Sequence, residues 1–199
     1  MRPQRITGHI MAKITGNLVS VHIGKENDLA KIAQSSVQAE LDGFVGDRHK
    51  GFSRVAYEGD TEPPGTVRRN NRQWTGVSVE ELVMIQERME LSEPLSAEAV
   101  GANICVTGIP DFSRLAKGTR LIFPSGATLI VEDYNPPCTD MSEKIAALHT
   151  TKSGGPIGRM AFCKHAKRIR GVVGSIDVPG VINSGDEVVV QIYKPPRLD

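Results

Sequence analysis

Hydrophobic positions along this chain recur mostly every second residue, in short bursts. In "NLVSVHIG" (17–24), Leu18, Ser20 and His22 alternate with Val19, Val21 and Ile23, the period of a strand with two unlike faces. "SSVQAEL" (35–41) alternates too, setting Val37, Ala39 and Leu41 on one side. "TRLIF" and "ATLIVED" flank Pro124-Ser125-Gly126, which predicts a hairpin. "RIRGVVGSIDV" and "DEVVVQIY" predict two further strands, joined through a turn-rich "PGVINSG".

The helical period is rarer. "SVEELVMIQERMEL" (78–91) puts Leu82, Ile85 and Met89 on one stripe, with Ser78 as N-cap and Glu81 as its capping-box partner. "SAEAVGAN" predicts one or two turns stopped at Gly101. A third helix is expected to start near Asp140, with Glu143 completing a capping box, and to run through Leu148. Many short strands with few helices predict an α+β, β-rich single domain over 1–199, built around a closed or partly closed β-barrel. Segments 57–73 and 150–159 are expected to be irregular loops of functional interest.

Composition narrows the setting. The 199 residues are 39% hydrophobic and carry a net charge of +1, which gives no reason to expect nucleic acid or an anionic membrane as partner. The opening "MRPQRITGHIMAK" has no apolar core of a secretory signal, and no run of 18 apolar residues occurs, so a soluble cytoplasmic protein is expected. The three cysteines, 105, 138 and 163, are an odd count without C-x-x-C spacing. A reducing compartment suits them better than a disulfide scaffold.

Candidate chemistry centres on "EDYNPPCTDMSEK" (132–144). Pro136-Pro137 cannot continue a strand ladder, and they aim Cys138 at a helix start. Unpaired N–H groups and the positive end of the helix dipole there favour a thiolate. The alternative is an inert buried thiol, which fits Cys105 in apolar "NICVTG" better than Cys138 among Asn135, Thr139 and Asp140. Cys163 lies among Lys164, His165, Lys167 and Arg168; it reads either as a second reactive thiol or, with Ala161, as the inward face of a strand. "GDRHKG" (46–51) holds Asp47 and His49 between glycines, as a polar hairpin tip or as a site where His49 moves a proton, anchors a hydrogen bond or binds metal. A zinc site from His49, Cys138, Cys163 and His165 finds no support in ligand spacing. Arginines in "RRNNR" (68–72), with Lys152 and Arg159 in the Gly-rich loop, can grip phosphate or remain solvated.

In order along the chain, these pieces resemble the MOSC family, named for the C-terminal domain of molybdenum cofactor sulfurase. "GDRHKG", "VSVEELVMI" with "GANICVTGI", "KGTRLIFPSGATLIVED" followed by "PPC", and "RGVVGSIDVPGVINSGDEVVV" carry the likeness. The resemblance implies a β-barrel fold and a molybdenum cofactor (molybdopterin) pocket around Cys138. That residue would be catalytic, as a persulfide carrier or as the molybdenum ligand, with His49 assisting. Asp47, Arg69, Arg72, Asn103 and Arg159 would contact the anionic cofactor. The implied activities are sulfur transfer or reduction of N-hydroxylated compounds, needing an external sulfur or electron donor protein. A non-catalytic module that binds cofactor or partner is the alternative. Two features depart from the family pattern: Phe52 stands where a second glycine often does, and segment 57–73 is long.

Overall fold

The computed structural model describes residues 13–25 and 29–195; residues 1–12 of the amino-terminal stretch read above lie outside these. The strands are β1 Lys13–Ile23, β2 Ile32–Gln34, β3 Ser36–Glu40, β4 Gly43–Phe44, β5 Ser53–Val55, β6 Val67–Arg69, β7 Trp74–Ser78, β8 Ile104–Thr107, β9 Arg120–Ile122, β10 Thr128–Tyr134, β11 Val172–Val178, β12 Gly180–Asn183 and β13 Glu187–Gln191. The helices are α1 Val79–Arg88, α2 Thr139–Leu148 and α3 Ala161–His165, with one 3-10 turn at Phe112–Arg114.

Seven strands close into a barrel. Their order is β13-β9-β10-β11-β7-β8-β1, and the ring is sealed where β1 pairs antiparallel with β13, Lys13 opposite Gln191. All neighbours in the ring are antiparallel except β7 and β8, whose connection carries α1. β2 extends the sheet from the far end of β1, while β12-β3-β4 form a second small sheet and β5-β6 a separate ribbon. The fold is α+β and β-rich, as the sparse helical periods predict.

The predicted alternation in β1 fails at one point, for a local reason. The register against β8 slips between Leu18 and Ser20, so Leu18 and Val21 both point inward while Val19 is exposed. A bulge of this kind shifts the face that later residues present. Leu41, expected to share the inward face of Val37 and Ala39, lies past the end of β3 and is exposed. The "PGVINSG" link is not turn alone: Gly180–Asn183 pairs with β3.

Two apolar cores result. The barrel is filled around Trp74, Leu18, Phe112, Leu121 and Leu129. Trp74 donates its indole N–H to the Ser175 carbonyl at 3.0 Å and occupies the space a side chain at position 174 would need. A Cβ on Gly174 would stand 2.0 Å from the Ile130 carbonyl and 2.6 Å from that ring, so strand pairing and the tryptophan together require the glycine. The second core packs α1, α2 and α3 on the barrel wall through Leu82, Ile85, Met141, Ile145 and Phe162, and it includes Cys105. At about 1.5–3 kcal/mol for each fully buried aliphatic side chain, Ile145 and Met141 alone hold α2 firmly in place. That matters because α2 begins at Cys138.

Candidate functional site

Cys138 is itself the N-cap of α2, two residues earlier than the Asp140 start that the capping-box pattern suggests. Pro136 and Pro137 end the extended chain, and the Cys138 carbonyl accepts the first helical bond from Ser142 N at 3.0 Å. Asp140 sits in the first turn instead. Cys138 is exposed, whereas Cys105 is buried, where desolvation pushes its thiol up to about 12. All three cysteines are free. Cys163 lies on α3, not on the expected strand; its N–H faces the Ser142 hydroxyl at 3.4 Å. Ser142 is buried and donates to the Arg159 carbonyl, so its hydroxyl ties α2 to the segment leading into α3.

Next to Cys138 lies a residue the sequence reading passed over. Arg170 is 6% exposed and donates from Nη2 to the Val100 carbonyl at 2.6 Å, but its Nε and Nη1 have no protein partner. Burial lowers this guanidinium to about 10, with the neighbouring Cys138 and Tyr134 side chains working against that fall and the positive charge of Arg72 adding to it. It remains cationic at neutral pH. A buried cation with unmet donors is costly, and such cost is characteristically relieved by an anion. The available signal was an arginine in "RIRGVVG", directly ahead of an apolar strand where a core residue would be expected.

Arg72 donates to the buried Asn135 Oδ1 at 2.7 Å, fixing the peptide that leads to Cys138. Its backbone N–H is held by Asn70, whose amide also donates to the carbonyls of His49 and Gly51. The predicted cofactor contacts Arg69 and Arg159 each carry an acidic partner. Arg69 is paired with the buried Glu132 of β10, and Arg159 forms an exposed pair with Glu143 at 2.5 Å. Lys152 sits in the same loop as Arg159, which is pinned to the end of α1 by a bond from Lys152 N to the Glu90 carbonyl. Much of segment 57–73 is ordered by charge: Arg54 and Arg68 converge on Asp60 across the β5-β6 ribbon.

Asp47, His49 and Asn103 do come together, around a buried carboxylate. Asp47 Oδ2 accepts from Gly24 N at 3.0 Å, Lys31 Nζ at 2.5 Å and Asn103 Nδ2 at 2.7 Å. Asp47 Oδ1 accepts from His49 N and meets His49 Nδ1, each at 2.9 Å. Burial alone would raise the Asp47 carboxyl, but the His49 bond and the Lys31 charge hold it well below the carboxylate range. A carboxylate can only accept, so His49 Nδ1 carries the proton and Nε2 is left as an acceptor. Burial and the Lys31 charge lower the imidazole, so His49 is neutral at neutral pH. Residues 100–103 connect the two groups: Val100 serves Arg170 and Asn103 serves Asp47. Among the described residues, no three His, Cys, Asp or Glu side chains are arranged to hold a metal ion between them.

A model of the MOSC domain matches residues 21–189. The chain belongs to that family. A MOSC protein of Bacillus subtilis (strain 168), YuaD, whose name proposes a role in metal–sulfur cluster biosynthesis, is 34% identical over 185 residues, covering 92% of this chain and 93% of its own. The crystal structure of YuaD superposes with a TM-score of 0.87 at 32% identity, covering 93% of this chain and all of that one. YiiM from Geobacillus stearothermophilus shares the fold, with a TM-score of 0.58 at 17% identity over 88% of this chain and 74% of its own. Among the described residues, no helix is long and apolar enough to cross a membrane.

Proposed function

We propose that this MOSC chain handles molybdenum cofactor in sulfur transfer and that Cys138 is its working sulfur. One arrangement carries the reading: an exposed cysteine at the cap of α2, beside a buried guanidinium with two unpartnered donors. These residues suit the cofactor, since an anionic phosphate or dithiolene group would satisfy Arg170 and a thiolate is a soft ligand. When bound, the cofactor supplies a molybdenum centre. The chain's own part is to hold the anion with Arg170, keep the Cys138 approach rigid through Arg72 and Asn135, and offer His49 Nε2 as a proton acceptor.

Sulfur loading balances without an external oxidant. The Cys138 thiolate attacks the terminal sulfur of a donor protein's persulfide; the donor S–S bond breaks, a new one forms on Cys138, and the donor departs as thiolate. The exposure of Cys138 and the name given to YuaD both support sulfur handling over electron transfer. Free cysteines throughout the described residues accord with a reducing, cytoplasmic setting. The test is elemental analysis for molybdenum with intact mass, on protein from a cofactor-competent host, wild type beside Cys138→Ala. A gain of about 32 Da, one sulfur atom, absent in the variant, is the expected result. Near-stoichiometric molybdenum lost in the variant, without that adduct, would replace sulfur transfer with a metal-ligating role and a search for a reductase partner. Neither signal in either protein would leave a non-catalytic binding module.

A further inference from the structure

Near the Cys138 segment the surface carries a concentration of unpaired positive charge. Arg114, at the end of the 3-10 turn, and Arg168, just past α3, line a cleft of about 260 Å³ with Ser113 and Tyr134. Both arginines are exposed, and among the described residues neither forms an ion pair, in contrast to Arg54, Arg68, Arg69, Arg120 and Arg159. No carboxylate lines the cleft. The nearby Glu81 is buried behind it and already accepts from Ser113 N and Oγ. Shortly before Arg168 in the chain, Lys164 and Lys167 are exposed and, among the described residues, likewise form no ion pair. Arg88 is close too, reaching the His165 carbonyl from Nη1 at 3.4 Å. His165 is lowered by burial, then by the charges of Lys164 and Arg88, so these cations share one field.

The cleft is built. Arg168 adopts a left-handed backbone, φ 69°, and its N–H is held by the Tyr134 hydroxyl at 2.7 Å. Tyr134 begins the peptide that leads to Cys138, and both residues lie near Arg170. A partner seated on this face therefore meets the strand end that leads into Cys138.

We propose that this face is the docking surface for an acidic protein partner, with one aspartate or glutamate side chain of that partner inserted between Arg114 and Arg168. The partner's role as sulfur donor rests on the function proposed above; the docking itself does not. Guanidinium forks match a carboxylate bidentately, and the cleft admits a side chain but is small for a large ligand. Charge complementarity of this kind steers encounter and fixes orientation.

The test uses a fluorescein-labelled hexaglutamate peptide in fluorescence anisotropy, at low salt, with the full chain. Saturable binding is expected, roughly tenfold weaker in the Arg114→Glu/Arg168→Glu variant and unchanged in Lys13→Glu/Lys194→Glu, which alters net charge equally. Circular dichroism and thermal melting confirm that both variants are folded. Equal weakening in the two variants, or no binding by wild type, overturns the proposal. So does complete displacement by millimolar inorganic phosphate, which would mark a small-anion site, and so does tighter binding of a hexauridine probe, which would mark a nucleic-acid surface. Cys138→Ala should bind the peptide as wild type does. The sulfur adduct can therefore fail while docking stands, or persist in the charge-reversed variant while docking fails.

Discussion

At the scale of single residues, two of the buried charges follow opposite logic. Asp47 is saturated by donors and Arg170 is not. Removing one partner of a buried pair strands the other, so Asp47→Asn should cost about 3–5 kcal/mol in urea unfolding. Lys31→Met/Asp47→Leu should recover little of it, because Gly24 N, His49 and Asn103 would keep unmet donors. The pH dependence follows from the directions of the shifts. Asp47 is depressed in the fold, so its contribution is full above the unfolded value of 3.8 and is lost as pH falls below that. Lys31 is lowered by burial to about 8 from 10.5, so between those values the unfolded chain binds more protons and stability rises with pH. Comparing wild type with Lys31→Met from pH 7 to 10.5 should show that rise in wild type alone. Little of this hub was legible beforehand: "GDRHKG" announces a polar tip, but Gly24, Lys31 and Asn103 reach Asp47 only through the fold. Cys138 was legible because prolines and a helix start are local signals. Arg170 was not, because the sequence gives no measure of how many of its donors remain unmet.

At the scale of elements, short-range chemistry predicted what existed better than where it began. The stripe of α1 and its Ser78 cap are as expected, Ser78 Oγ accepting from Glu81 N at 3.2 Å, although the Glu81 carboxylate binds Ser113. "AFCKH" misled: five residues cannot separate a strand's period from a single helical turn buried at Phe162. Gly171 stands just before β11 at φ 102°, and a Cβ there would collide with the Gly76 carbonyl, so Gly171→Ala should cost about 3 kcal/mol or more in thermal unfolding. The β5-β6 ribbon has too few strands to stand alone. With Arg54 and Arg68 both relying on Asp60, Asp60→Ala should speed proteolytic cleavage within 57–66 while the melting temperature of the barrel changes little.

At the scale of the whole molecule, a rigid barrel wall carries α2, and α2 carries the cysteine, so the thiol inherits the precision of the second core. The cationic face lies on the helical side of the same wall. If both belong to one task, raising salt from 50 to 200 mM should slow sulfur loading from an acidic donor protein while leaving the mass of preloaded Cys138 unchanged, as read by mass spectrometry.

The seam of the barrel has a consequence for biosynthesis. β1, the first strand described, is completed only by β13, the last, with Lys13 opposite Gln191. Until β13 has been synthesised, the β1 edge that it pairs with therefore stays open, and the ring closes only once that strand has emerged. Folding here is a late event that joins distant parts of the chain, so a ribosome stalled before residue 187 should hold a nascent chain that proteases still cut freely.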